Sequence, residues 1–183
     1  MESSTRSRTP LFFQKALVNE IKEITKEMIF HAPKRTEMIP IEVFPQSLPI
    51  PVLNNADDVI NEDSSNLNYQ SDQIEDPVFK CPWCVVKIEG GSIPGINEQQ
   101  TIQVAICFGI FNNNVNNQGH LELLNLFQKV YERFAIDPIL DGQFTCAGEF
   151  DWALQDEDTY PYYFGAITTS FKFMGYRREN KFL

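Results

Sequence analysis

The stretch PVFKCPWCVVKIEGG, residues 77–91, decides the fold, because its Cys81-Pro82-Trp83-Cys84 can be read in three ways. A C-P-x-C can form a zinc knuckle, a redox dithiol, or two buried cysteines in a strand. On a strand, neighbouring side chains face opposite ways, so positions 81 and 84 point apart, with Cα atoms about 10 Å from each other at ~3.3 Å per residue. A disulfide needs less than about 7 Å, and one zinc ion could not be held by both. A knuckle also needs two further ligands, normally a second close pair. Cys107 and Cys146 stand alone, and His31 and His120 are far apart in sequence. A redox pair normally opens a helix whose N-terminus lowers the thiol pKa. Here Val85-Val86-Lys87-Ile88 follows, which is β-branched and extended. The strand reading wins, and a small zinc-binding or redox protein built on Cys81 and Cys84 becomes the rival.

Working outward, GGSIPG (90–95) reads as a hairpin turn, since a phosphate cradle wants a helix next and a strand follows. In that strand, about residues 100–111, Ile102, Val104, Ile106, Phe108 and Ile110 share one face. Thr101, Gln103, Ala105, Cys107 and Gly109 share the other. The turn-rich NNNVNNQG leads into a helix over about 118–135, with His120, Leu124, Phe127, Tyr131 and Phe134 as its apolar stripe. Two last strands, about 143–154 and 161–174, are joined by QDEDTYP.

Upstream, Thr9-Pro10 is an N-cap with proline at the first helical position. Phe13, Leu17, Ile21, Ile24 and Met28 continue as one face of a helix over about 10–30, ended by HAPKR. Ile39, Ile41 and Val43 lie on one side of a short strand, and Pro40 and Pro45 put it at a sheet edge. The expected fold is α+β: a mainly antiparallel sheet with two helices packed on it and a long acidic loop or arm. The expectation is a single domain over residues 1–183, with 45–77 as an acidic loop or arm inserted within it, and no internal repeat.

A chain of 183 residues with 43% apolar residues can bury a real core. No apolar run is long enough to span a bilayer, and MESSTRSRTP lacks the apolar core of a signal peptide. The expectation is a protein that stays where it is made, without a membrane partner. Four cysteines at uneven spacing suit a reduced compartment. A net charge of −10 argues against tight binding to a phosphate backbone.

Most of that charge sits in residues 45–77. Asp57, Asp58, Glu62, Asp63, Asp72, Glu75 and Asp76 face no Lys or Arg there, which gives −7. Loops of this length are usually functional or mobile. Two readings stay open: a solvated loop, or an arm that orders on a neighbouring subunit. The anchors of such an arm would be Val52, Leu53, Val59, Ile60, Leu67, Tyr69 and Ile74.

Asp156, Glu157 and Asp158, with Glu149 and Asp151 nearby, raise the question of a divalent-metal site. Hard cations want six or more oxygens from a shaped loop, and an acidic turn between strands is the simpler reading. His120 reads as a half-buried helix residue and His31 as a turn residue. Tyr176-Arg177-Arg178 is too short for a nucleic-acid patch, and is a solvated end or a partner contact. No nucleotide-binding or metalloprotease motif is present. The expectation is a protein with no catalytic residues, metal or cofactor.

IPIEVFPQSLPIP (39–51), NNQGHLELLNLFQKVYERF (116–134) and DEDTYPYYFGAITTSFKF (156–173) together resemble the small tail-completion, or tail-terminator, proteins of long-tailed bacteriophages and prophages of Gram-positive bacteria, the minor tail protein U-like group. The last stretch is the most specific, and the CPWC cysteines are not part of the pattern. The resemblance implies an α+β subunit that closes into a homo-oligomeric ring, usually a hexamer, on the head-proximal end of the tail tube. Such a ring ends tail polymerisation and joins tail to head. Its partners would be the tail tube protein, the sheath protein where there is one, and a neck or connector protein, with DNA only passing through. The protein would be assembled in the host cytoplasm and end in the virion. A head-side connector role is the neighbouring alternative. Contact elements would include the 45–77 arm, Asp156, Glu157, Asp158, Tyr160 and Tyr162 in the acidic turn, and Arg177 and Arg178. Aromatic strand positions beyond what two helices can cover, such as Phe144, Phe150 and Trp152 or Tyr162 and Phe164, would mark subunit interfaces.

Overall fold

The computed structural model describes residues 9–33, 35–49, 81–95 and 98–175. The anticipated anchors Val52, Leu53, Val59, Ile60, Leu67, Tyr69 and Ile74, and the pair Arg177 and Arg178, lie outside the described residues.

Helix α1 (Pro10–Thr25) begins where its signals put it. The extended Thr9 accepts a hydrogen bond from the Phe12 N–H at 3.4 Å, and Pro10 has no N–H to leave unpaired. The helix stops at Thr25, not near residue 30. There the Thr25 hydroxyl donates to the Ile21 carbonyl at 2.8 Å, and the Met28 N–H closes a tight turn on Thr25 at 2.9 Å. Ile29–Phe30 then form strand β1, antiparallel to β2 (Ile39–Pro40), which sends the Phe30 ring into the core.

The remaining strands make one six-stranded sheet: β3 (Glu42–Pro45), β4 (Trp83–Ser92), β5 (Gln99–Phe111), β6 (Ile139–Leu140), β7 (Phe144–Leu154) and β8 (Tyr162–Met174). Their order is β3-β4-β5-β8-β7-β6, and every pairing is antiparallel except β3 with β4. The single edge strand expected here divides in two: Ile39–Pro40 pairs with β1 in a separate small sheet, and only β3 lies at an edge of the six-stranded one, where Pro45 costs no ladder bond.

The alternation read in β5 holds. Ile102, Val104, Ile106, Phe108 and Ile110 are all buried beneath the helices. Helix α1 covers the β3–β4 side of the sheet and α2 (His120–Ile136) the β8–β7 side. Phe171 of β8 stands between them, 4.9 Å from the Phe13 ring and 5.2 Å from the Phe134 ring. A part-buried ion pair between Glu20 and Arg133 ties one helix to the other.

Three expectations need correction. The buried face of α2 is Leu123, Leu126, Phe127, Val130 and Phe134, so the anticipated stripe is rotated around the helix. Leu124 and His120 are half-buried and Tyr131 is exposed, because the helix is apolar over a wider arc than one stripe can show. Gly90 and Gly91 belong to β4, at a register shift, and the turn comes after Ser92. Finally, β4 starts at Trp83, so Cys84 is a strand residue and Cys81 precedes the strand, although both are buried.

Strand β6 had no counterpart in the sequence reading. Its hairpin with β7 turns on Asp141 and Gly142, both with positive φ (49° and 66°), closed by the Gln143 N–H on the Leu140 carbonyl at 3.1 Å. Asp-Gly is a strong sequence signal for this kind of turn, since both central residues need positive φ.

Candidate functional site

All four cysteines are free, and Cys81, Cys84 and Cys146 are buried. Burial pushes the Cys81 thiol up to about 12, against a smaller opposite pull from the Trp83 indole. Burial, and then the neighbouring Cys107, raises Cys84 well above the usual thiol range. Cys107 is also raised by burial, with Lys87 pulling it down and Glu89 pushing it up. A thiol that stays protonated is a poor nucleophile and a poor metal ligand. Among the described residues, no group of three or more His, Cys, Asp or Glu side chains is placed to hold a metal ion.

The acidic turn between β7 and β8 exposes Asp156, Glu157 and Asp158 at the rim of a shallow cavity of about 240 Å³ against the start of α2. Its geometry is held locally. Asp158 accepts from the Tyr160 N–H at 3.2 Å, and the Thr159 hydroxyl donates to the Tyr162 carbonyl at 2.7 Å. The Tyr160 hydroxyl donates to the Asn113 carbonyl at 3.0 Å, and Tyr163 bonds to Asn117. The turn is thus fastened to the loop before α2, and its carboxylates face solvent.

A larger concavity lies elsewhere, between α2 and β7. It has a volume of about 470 Å³ and is lined by Leu124, Phe127 and Tyr131 of α2 and by Phe150 and Trp152 of β7, over Ile167. Trp152 is 60% exposed and Tyr131 46%, which is unusual for large side chains in so apolar a setting. Phe150 stands edge-on to Tyr131 at 5.6 Å, and Trp152 lies 6.1 Å from Phe127. Aromatic side chains of this kind are the common anchors of protein interfaces.

A bulge in β7 lies beside the groove, and Gly148 within it is part of the lining. Cys146 pairs with Phe171 and Phe150 with Thr169, so β7 carries extra residues between them. Gly148 sits in this bulge at φ +85°, a conformation open to glycine at little cost. The Thr169 hydroxyl fastens the bulge by donating to the Glu149 carbonyl at 2.6 Å.

Beyond the bulge the sheet has an open side. Strand β6 and Pro138 before it cover β7 only as far as Cys146, and among the described residues nothing pairs with the outer side of Phe150–Leu154. The Gln155 N–H donates to the Phe164 carbonyl at 2.9 Å, which makes residue 155 a position facing β8. Backbone groups alternate along an antiparallel strand, so Asp151 and Ala153 also face β8. Phe150, Trp152 and Leu154 then turn their N–H and C=O groups outward. On the opposite side of the sheet, past the end of β3, the Gln46 side chain bonds both the N–H and the C=O of Ile88, at 3.1 and 3.2 Å, and so covers β4 there as a strand would.

The anticipated aromatic positions separate into three environments. Phe144 is fully buried, while Phe150 and Trp152 line the groove. Tyr162 and Phe164 are half-buried on the opposite sheet face, beside Phe111 and Trp83. Leu124 and Tyr131, part of the apolar stripe expected on this helix, line the groove. The wide apolar arc of α2 was the signal that one part of it must look outward. Neither the protein-family models nor the curated proteins contain a match to this chain.

Proposed function

We propose that this protein is a structural subunit that works by associating with copies of itself and with a filament: a ring-forming tail terminator that caps the head-proximal end of a phage tail tube and joins it to the head. The observation that carries the reading is the exposed aromatic groove of Trp152, Tyr131 and Phe150 beside an open sheet edge. An open edge with apolar side chains next to it is a template for further strand pairing, and isolated domains normally blunt it. The opposite side ends in β3, a four-residue strand parallel to β4, with Gln46 closing the Ile88 edge beyond it, so the two sides of the sheet are not equivalent. Head-to-tail association of unlike flanks is what closes a ring. The three resembling stretches point the same way, and the ring is a hexamer on that resemblance.

The rival built on Cys81 and Cys84 has little support, because burial raises both thiols. Mass measurement and electron microscopy of the purified protein, alone and with tail tubes, test the proposal. Rings, alone or at tube ends, are the expected result. A strict monomer that ignores tube ends at every concentration would refute it.

A further inference from the structure

We infer that residues 176–183 of a second copy, YRRENKFL, add as a strand to the open edge of β7 and seat Phe182 in the groove beside it. This rests on the reading that copies of the chain associate, and it names the segment that makes the contact.

Three observations lead to it. The outward N–H and C=O groups of Phe150, Trp152 and Leu154 belong to the same strand whose Phe150 and Trp152 side chains line the groove. A segment laid there gains ladder hydrogen bonds and apolar contact together, the usual mode of strand addition. Charge selects the segment. Residues 143–161 hold Glu149, Asp151, Asp156, Glu157 and Asp158 and no Lys or Arg, and all five acids are exposed. Two such edges would repel each other, so β7 does not pair with its own copy. Residues 176–183 carry Arg177, Arg178 and Lys181 against Glu179, with Tyr176, Phe182 and Leu183 as apolar material. The stretch MESSTRSR has bases but no aromatic residue for the groove.

The third observation is reach. Strand β8 runs antiparallel to β7, and Met174 lies past the end where β6 covers Phe144 and Thr145. From Met174 back to the level of Phe150 and across to the free edge is about 19 Å, from the ~3.3 Å rise and ~4.8 Å strand spacing. Even a straight path at that rise leaves only about three of residues 176–183 to lie on the edge of their own molecule. A neighbouring copy has no such limit.

Charge reversal in the full-length chain tests this. One variant combines Glu149→Lys with Asp151→Lys, the other Arg177→Glu with Arg178→Glu, and circular dichroism checks that both are folded. Association is read by sedimentation velocity over a concentration series. Each variant alone is expected to need ~10-fold or more higher concentration for half-association, as the loss of a close charge pair commonly requires. An equimolar mixture is expected to recover association, because the reversed edge meets the reversed segment. Phe182→Ala is expected to weaken association without changing its salt dependence. If wild-type protein associates and the reversals leave it unchanged, or the mixture does not recover, the strand-addition inference fails and the ring reading survives. If wild-type protein stays monomeric throughout the series, the strand-addition inference fails, and the ring reading fails with it if the protein also ignores tube ends.

Discussion

Phe171 and Trp152 are both aromatic side chains on the helix-facing side of adjacent strands, yet truncating them should have very different effects. Phe171 is 0% exposed, and its ring touches Phe13 of α1 and Phe134 of α2, so it joins both helices to the sheet. Phe171→Ala removes that joint and leaves a cavity, at a cost of about 3–5 kcal/mol. For a chain of this size that lowers Tm by roughly 6–20 °C, at ~2–4 °C per kcal/mol. Trp152 is 60% exposed. If a tryptophan presents about 250 Å², some 100 Å² of it is buried, which at ~25 cal/mol/Å² sets an upper bound near 2.5 kcal/mol for Trp152→Ala. Urea unfolding followed by circular dichroism measures both, with equal slopes required for the comparison. The same Trp152→Ala protein should associate more weakly than wild type. Equal destabilisation by the two changes would refute the assignment of Trp152 to a surface and Phe171 to the core.

The thiols give a second test: with Cys81 near 12, against an ordinary 9.0, its labelling by a disulfide reagent at pH 8 should run ~10³-fold slower than that of a free thiol, on thiolate fraction alone. Rapid labelling of folded protein at Cys81 or Cys84 would contradict the burial argument. Thr169→Val removes the hydroxyl that holds the Glu149 carbonyl and should destabilise the protein by about 1–2 kcal/mol in the same unfolding assay, while unchanged stability would mean the bulge is held by other contacts. Burial raises the Glu122 carboxyl above its ordinary 4.5, while the Asn112 hydrogen bond and His31 pull it down. Native protein therefore holds the Glu122 proton to higher pH than unfolded protein does, and its stability falls as pH rises from 4.5 through the raised value. Glu122→Gln should flatten that part of the stability–pH curve, and an unchanged slope would count against the burial of this carboxyl.

Much of the fold was legible because it rests on local rules. The Thr9-Pro10 start, the alternation of Ile102 to Ile110 and the edge position of the proline-rich strand all came from spacing and backbone chemistry. The early stop of α1 was less visible, since Met28 continues the helical spacing while Ile29 and Phe30 are taken by a tertiary pairing with Ile39–Pro40. The groove was the hardest part to read. Leu124 and Tyr131 sit at helical spacing from Phe127 and Phe134, and periodicity alone cannot say which of two overlapping stripes faces the sheet. The register shift beside the groove holds Gly148 at positive φ, one glycine among nine in the chain. The open edge itself follows from the shortness of β6, which depends on pairing and not on composition.

Amide hydrogen exchange resolved to single residues, at low and high protein concentration, is the most direct probe of whether the β7 edge is an association surface. In dilute protein, exchange is expected to be fast at Phe150, Trp152 and Leu154 and slow at Asp151 and Ala153, whose amides face β8. At high concentration the first three should become protected as a neighbouring strand pairs with them. Protection of all five in the dilute monomer, or continued fast exchange at the first three in the assembled form, would contradict it.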